Sequence, residues 1–476
     1  IANIYLLIID WEEFMKLGED VPDEQLNAVI DSLRPNECCS LIYTSGTTGN
    51  PKGVMLSHDN ITWTAHVGCT ILKAKGGEEI LVSYLPLSHI AAQMIDIWVC
   101  MGLAGTIYFA EPDALKGTLV NTLKEVRPTC FLGVPRVWEK IEEKMKAVGA
   151  KASPMKKRVA GFAKSIGLQQ NQVPWGFMLA NNLVFKKVHA ALGLDRCRIC
   201  CTGAAPITKD TLDYFMSLNI PLKEMYGMSE SCGPHTVSID EYRVTSCGKV
   251  MIGCKIKLVN PDADGNGEIC FWGRNIFMGY LNMPDKTAEA LDEDGWLHTG
   301  DLGRHDEQNF LYITGRIKEL IITAGGENIP PVPIEDAVKS ELPIISNAML
   351  IGDKLKFLSM LLTLKCVVDD NGEPTDELNQ EALEFCQQHG LKATKVSEII
   401  ANKEPAIYSA IQAGIERVNA RSTSNAQKVQ KWVIVEQDFS VTGGELGPTM
   451  KLRRPIVVKM YQEKINEMYA VAAGKQ

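Results

Sequence analysis

A surplus of positive charge is missing from this sequence, which carries 49 Lys and Arg against 58 Asp and Glu, for a net charge of −9. Nucleic-acid surfaces demand a basic footprint to neutralise phosphates, so the balance argues against a nucleic-acid partner. Long uninterrupted apolar runs are missing as well. The longest, 90–110, is broken by Gln93, Asp96, Gly102, Ala104 and Gly105; it reads as a buried helix followed by a strand, not as a membrane span. Ile4-Tyr5-Leu6-Leu7-Ile8-Ile9 is too short for a secretory leader and has neither a basic start nor a cleavage site. Metal-ligand spacing is lacking too. The one set of three close cysteines, Cys197-Arg198-Ile199-Cys200-Cys201, has no second pair or histidines following it at ligand spacing. The remaining cysteines are scattered and fit reduced core thiols of an intracellular protein. No internal repeat is visible. With 476 residues, 45% of them hydrophobic and 22% charged, the chain has the composition of a globular protein and the length of two or three domains.

What is present centres on Tyr43-Thr44-Ser45-Gly46-Thr47-Thr48-Gly49-Asn50-Pro51-Lys52-Gly53, which follows the strand-like Leu41-Ile42-Tyr43. Glycines let a backbone turn its N–H groups inward around an anion, the hydroxyls add donors and Lys52 adds a point charge, so the natural guest is polyphosphate. Read alone, the stretch also fits a Gly/Thr surface turn. Its spacing excludes G-x-x-x-x-G-K-[ST], in which lysine and hydroxyl open a helix directly after the second glycine.

Downstream, Ser57-His58-Asp59-Asn60 reads as a helix cap. Apolar strands at 105–109, 128–133, 198–202 and 222–226 alternate with helical stretches of ten residues or more, which predicts an α/β fold with a largely parallel sheet. The 146–195 stretch is polar, lysine-containing and helical, with Gly, Pro and Trp breaks and no evident chemistry. Beyond Tyr226 short strands and turns predict a small antiparallel sheet. After Gly315-Arg316 a smaller α+β unit begins, with a helical insertion at about 368–427. The expected division is a large domain over 1–317 and a smaller one over 318–476.

Four further sets lean toward nucleotide handling. In Glu224-Met225-Tyr226-Gly227-Met228-Ser229-Glu230, at a strand end, a tyrosine can stack on a base, a serine can donate to phosphate and a carboxylate can hold Mg²⁺ through water. An aspartate between two loop glycines, Gly300-Asp301-Leu302-Gly303, suits ribose hydroxyls and equally suits a turn. Gly315-Arg316-Ile317-Lys318-Glu319, followed by Gly325-Gly326, puts charges at a break between units, where surface ion pairs are also ordinary. Gly447-Pro448-Thr449-Met450-Lys451-Leu452-Arg453-Arg454-Pro455 reads either as a solvated face or as a lysine on a movable loop.

In this order the five sets resemble the adenylate-forming superfamily of acyl-CoA synthetases, firefly-type luciferases and peptide-synthetase adenylation domains. The resemblance runs from about residue 37 to the C-terminus. Leu85-Pro86-Leu87-Ser88-His89 and the Lys451 segment resemble the long-chain fatty acyl-CoA synthetases, and the long C-terminal insertion, with Gly447-Pro448-Thr449 and Val457-Val458-Lys459-Met460-Tyr461, most resembles the bubblegum branch. It implies ATP, Mg²⁺ and coenzyme A as reactants or cofactors, with fatty acid as the other substrate and no partner protein identifiable. Thr44, Ser45, Gly46, Thr47, Thr48, Gly49, Asn50, Pro51 and Lys52 then correspond to the phosphate loop, and Glu224 to Ser229 to the adenine motif. Glu230 and Thr47 fall to the metal, Asp301 and Arg316 to ribose, Lys318 to the hinge and Lys451 to catalysis beside Lys52 and Glu230. His89, Gly203 and Ala204 are expected at the acyl pocket, and Gly325 and Gly326 at the coenzyme A channel after the smaller domain, a mobile lid, has turned.

Only 43 residues precede Thr44, where the family has a long stretch of sheet and helix, so the chain is expected to be a fragment. The expected location is cytoplasmic, with peripheral association at the endoplasmic reticulum or other internal membranes but no visible anchor. The alternatives are an adenylating enzyme for another carboxylic acid and a truncated, non-catalytic nucleotide-binding scaffold.

Overall fold

A computed structural model of the chain describes residues 10–44, 51–169, 174–369, 372–447 and 450–470. The strand-like run at 4–9 lies outside them; the acidic stretch after it forms helices Trp11–Lys16 and Asp23–Ser32. Strands Cys130–Gly133, Ile199–Thr202 and Leu222–Met228 pair in parallel, as do Ile80–Ser83 and Thr106–Phe109. Parallel neighbours require long crossovers, and helices such as Pro135–Ala150 and Lys209–Ser217 supply them. Trp138 and Phe215 come from these two helices, are fully buried, and meet edge to face at 5.0 Å. The Trp138 indole N–H donates to the carbonyls of Gly133 and Cys201, tying the helix start to two strand ends.

The fold is nevertheless less parallel than the alternation predicts. After Met228 the five-stranded sheet continues antiparallel through Gly233–Val237 and Lys249–Val250. The turn between Leu222–Met228 and Gly233–Val237, Ser229–Ser231 with Cys232 at φ 54°, is too short for a crossover. Cys38–Thr44, Lys52–Ser57 and Gly279–Tyr280 form a second antiparallel sheet. The expected small antiparallel sheet has four strands: Lys255–Val259, Gly267–Trp272, Leu297–His305 and Leu311–Arg316. Asp301 lies within the third of these and not in a loop; Gly300, at φ 70°, is accommodated inside the strand.

Ser57 caps the His58–Ile71 helix, accepting the Asn60 N–H while Asn60 accepts that of Ser57, a reciprocal capping box. The apolar run after His89 is one helical rod, Ile90–Ala92, Gln93–Val99 and Cys100–Gly102, with a π-helical centre and then strand Thr106–Phe109. After the short turn Ile317–Glu319, a separate core forms around Ile344, Leu358, Leu362, Ile411 and Ile415. There Leu358–Leu364 pairs antiparallel with Ile345–Ile351 and parallel with Val429–Ile434. Helices Gln380–Gln388, Val396–Ala401 and Pro405–Asn419 lie in the connection between those two parallel strands.

Candidate active site

The site is built first on a register. Asp301 and Arg316 face each other across neighbouring antiparallel strands. Arg316 Nε donates to Asp301 Oδ1 at 2.6 Å and Nη2 reaches Oδ2 at 3.4 Å, while the Tyr226 hydroxyl donates to Oδ2 at 2.8 Å. Asp301 is buried, a position a carboxylate tolerates only with such partners. Burial alone would lower the Arg316 pKa, but the Asp301 carboxylate more than reverses this and holds the guanidinium above its ordinary value. Burial, then the charge of Asp301, pushes the Tyr226 phenol far up, so it stays a donor. The Tyr226 ring stands edge-on to Phe271 at 5.4 Å.

Glu268 braces this strand. Its Oε1 accepts the Gly300 N–H at 3.2 Å and its Oε2 lies 2.9 Å from His298 Nδ1. Cys270 completes a trio of possible metal donors within 4.8 Å of one another. Burial pushes the Cys270 thiol up to about 12, so it is neutral, and the His298–Glu268 hydrogen bond accounts for the trio's closeness.

The second part gathers around the 43–53 stretch. Thr44 and Lys52 are cross-strand partners near its two ends, Pro51 precedes Lys52, and Ser45, Gly46, Thr47, Thr48, Gly49 and Asn50 lie outside the described residues. The Lys52 ammonium sits 4.4 Å from the Tyr280 ring centroid, and the Tyr280 hydroxyl donates to Glu230 Oε1 at 2.7 Å. Partial burial, then the charge of Lys318, lowers the Lys52 pKa; Glu230 opposes them. Glu230 is itself buried in the turn that ends strand Leu222–Met228. The phenol of Tyr280 thus joins a cation, Lys52, to a carboxylate, Glu230. Tyr280 was not singled out in the sequence, where it is one tyrosine in an unremarkable apolar stretch.

Lys451 supplies the third part. It sits at the end of a tight loop closed by Met450 N–H to Gly447 O at 2.7 Å and Gly447 N–H to Lys451 O at 2.8 Å. Its side chain reaches solvent, yet protein walls surround it, and the resulting desolvation lowers its pKa. Arg316 and Arg454 push in the same direction, while Glu319 and Asp301 oppose. The same ammonium adds to the effect of burial in lowering the His89 pKa. Lys451, His89, Asp301 and Arg316 therefore share one electrostatic neighbourhood, although 362 positions separate the first two. His89 also starts its helix, its Nδ1 accepting the Ala91 N–H at 3.2 Å.

The C-terminal cations are not simply a solvated face. Arg454 forms two 2.6 Å hydrogen bonds with Glu335 and lies 3.6 Å from Glu319, which is 4.0 Å from Arg316. Lys318 is exposed beside Glu319.

On strand Leu222–Met228, Glu224 and Tyr226 share a face by the two-residue period of a strand, with Thr202 and Thr236 as their respective cross-strand partners. Glu224 Oε1, Thr202 Oγ1 and Thr236 Oγ1 are buried and without a hydrogen-bond partner among the described residues. Burial pushes Glu224 up to about 8. Buried polar atoms are rarely left unsatisfied, so this face suits a ligand with its own donors and acceptors. Met225 and Gly227 alternate with these residues, Met228 ends the strand and Ser229 opens the following turn. Gly227 is forced, because a Cβ there would sit 2.0 Å from Gly233 O. Gly203 is similarly close to Met225 O, at 2.8 Å, and Ala204 adopts φ 71° at the end of the neighbouring strand. Gly325 and Gly326 form the tip of the hairpin Ile321–Ile322 and Asn328–Ile329. Among the described residues, that hairpin's hydrogen bonds run within the C-terminal part, to Leu355 and Ser424, and none joins it to Lys52, Asp301 or Lys451.

The chain matches two protein-family models: AMP-binding enzyme over residues 5–281 and AMP-binding enzyme C-terminal domain over 318–473. The Xenopus laevis protein named long-chain-fatty-acid–CoA ligase ACSBG2 is 66% identical over 472 residues, which are 96% of this chain and 64% of that protein. Human long-chain-fatty-acid–CoA ligase ACSBG2 is 54% identical over 477 residues, 98% of this chain and 71% of the relative. The chain thus spans just under two thirds of the Xenopus relative's length. Among solved structures, the adenylation domain of a carboxylate reductase from Mycobacterium chelonae superposes with a TM-score of 0.66 at 22% identity, covering 92% of this chain and 60% of that one. At that identity the likeness concerns the fold.

Proposed function

The chain belongs to the AMP-binding enzyme family, within its bubblegum branch, and from that premise we propose that it ligates a long-chain fatty acid to coenzyme A. In the first step the fatty carboxylate attacks the α-phosphorus of ATP, forming acyl-adenylate and expelling pyrophosphate. In the second the thiol of coenzyme A attacks the acyl carbonyl, forming the thioester, expelling AMP and releasing a proton.

The observation that supports this reading most is the buried Asp301 carboxylate held by Arg316 and Tyr226, with the charge of Lys451 felt in the same neighbourhood. Two anions must be brought together in the first step, so catalysis is mainly positioning and cationic stabilisation. Lys451 neutralises the carboxylate and α-phosphate as they approach. Lys52 takes the charge of the departing pyrophosphate. Asp301 holds ribose hydroxyls, assisted by Arg316 and Tyr226, and the face of Glu224, Thr202 and Thr236 meets the base.

Glu230 has one oxygen held by Tyr280, leaving the other as a hard donor fit for Mg²⁺, with Thr47 as its companion on the phosphate loop. Such an ion would supply charge neutralisation on the polyphosphate. Lys318 is the pivot about which the C-terminal part turns as a lid between the two steps, bringing Gly325 and Gly326 to the coenzyme A channel. His89, Gly203 and Ala204 border the acyl end. A cytoplasmic location belongs to the same reading and rests on the scattered cysteines.

ATP–pyrophosphate exchange on the full-length protein, run over acids from acetate to very long chains, tests the proposal. Exchange rising with chain length, followed by acyl-CoA formation when coenzyme A is added, is expected. Exchange driven by short or aromatic acids instead overturns the fatty-acid assignment.

A further inference from the structure

Residues 144–194 contain nine Lys and Arg and no Asp or Glu, in a chain with a net charge of −9. Its first residues end the helix Pro135–Ala150, and the rest folds as two packed helical arms, Pro154–Leu168 and a run from Pro174 to Leu192 with a π-helical centre. Their shared core is small: Ala163, Ile166, Ala180 and Phe185. The large apolar residues elsewhere on the arms face water, with Met155 77%, Trp175 68%, Met178 65% and Leu179 45% exposed. On the second arm Trp175, Leu179, Leu183 and Lys187 recur every four residues, and Met178, Asn182 and Lys186 follow the same spacing. One face of that arm therefore grades from apolar to cationic.

Some cations of the segment serve the fold: Lys146 pairs with Glu142 and Lys164 covers the Tyr214 ring. Lys156, Lys157, Arg158, Lys186 and Lys187 are exposed, and none forms an ion pair among the described residues. Exposed tryptophan and methionine beside unpaired cations, with no anion in the segment, match a surface that is apolar beneath and negatively charged at its boundary.

We propose that this hairpin docks the protein on an anionic phospholipid bilayer, with Trp175, Met178 and Leu179 entering the interface and the exposed cations lying over headgroup phosphates. No described helix is long and apolar enough to cross a membrane, so the attachment is to the surface. Charge complementarity selects this face over the other exposed apolar one. The helices Trp11–Lys16 and Asp23–Ser32 expose Trp11, Phe14 and Val29, but carry Glu12, Glu13, Asp23, Glu24 and Asp31, which an anionic surface repels. The inference goes beyond the proposed ligation and does not depend on it.

Co-sedimentation of the full-length protein with phosphatidylcholine vesicles, with and without phosphatidylserine, tests it. Binding to the serine-containing vesicles that weakens as salt is raised is expected. Trp175→Ser with Met178→Ser should lower the partition at least about tenfold, and Lys186→Glu with Lys187→Glu should do so while flattening the salt dependence. Trp11→Ser with Phe14→Ser should leave it unchanged, and ATP-dependent exchange should persist in every variant. Equal binding to neutral vesicles, no binding at all, or anionic binding indifferent to the hairpin variants overturns the proposal. So does a stable dimer of the wild-type protein that the Trp175/Met178 variant alone dissolves, because the face would then belong to a second copy.

Discussion

Lys451 is the residue whose chemistry and position diverge most. It comes from a tight loop near the C-terminus, yet its neighbours in charge are Arg316, Asp301 and His89. Lys451→Ala is predicted to slow acyl-adenylate formation at least about 100-fold, by removing a cation aimed at developing charge. It should spare thioester formation from supplied acyl-adenylate; equal loss of both half-reactions in single-turnover assays would remove the assignment. Glu224 gives a different kind of prediction. Its folded pKa of about 8 stands above the ordinary 4.5. Between those values the unfolded chain gives up this proton and the folded chain keeps it. Stability contributed here is therefore fully present below pH 4.5 and lost as pH rises through 8. Glu224→Gln, neutral throughout, should gain several kcal/mol, at most about 5, in nucleotide-free protein at about pH 8.5 and nothing near pH 4. Denaturant titrations at the two pH values read this directly, and an equal effect at both would place the destabilisation elsewhere.

At the scale of elements, strand Leu222–Met228 carries more than its seven residues suggest. It is parallel to one neighbour and antiparallel to the next, and its end must turn Glu230 toward Lys52 and Tyr280. The pairing shifts register between Tyr226 and Gly227, and the neighbouring backbone comes so close that only glycine fits. Gly227→Ala is predicted to cost about 3 kcal/mol, through clash with Gly233 O and Pro234. Thermal unfolding checks the cost, and unchanged stability would mean that the two strands part easily.

Much of this was legible in the sequence. The alternation of short apolar strands with helices, the Ser57 cap and the order of the five motifs all rest on local patterns with fixed periods or spacings. Antiparallel strands were expected beyond Tyr226, but not that Gly233–Val237 would join the parallel sheet itself, because a short turn such as Ser229–Ser231 does not say which sheet the next strand enters. The Asp301 loop was misread for a related reason: flanking glycines signal a turn unless a partner strand, here Leu311–Arg316, recruits them into a ladder. Tyr280 and Glu335 were invisible because their roles exist only through residues 50 and 119 positions away.

For the molecule as a whole, contacts both short and long surround and cross the Ile317–Glu319 turn, and the Ser340 hydroxyl donates to Asp210 across it. Within the C-terminal part, Arg454 holds Glu335 through two 2.6 Å bonds. Across the turn, Arg136 reaches Ser346 at 3.4 Å while making its shorter 3.0 Å bond to Glu139 on its own helix. If Lys318 is the pivot, stiffening it should hinder whichever step needs the turn. Lys318→Pro is predicted to slow thioester formation several-fold more than adenylation, and the reverse order, measured on the two half-reactions separately, would argue against a pivot there.

Glu319 sits between cations from both sides of that turn. Arg316 lies 4.0 Å away on one side and Arg454 3.6 Å on the other, so neither cation holds it tightly. Loose ion pairs of this kind contribute little when made and cost little when broken. Parting Glu319 from either cation would therefore leave the stability of each half nearly untouched, and any resistance to a turn there has to come from other contacts, such as that of Ser340 with Asp210.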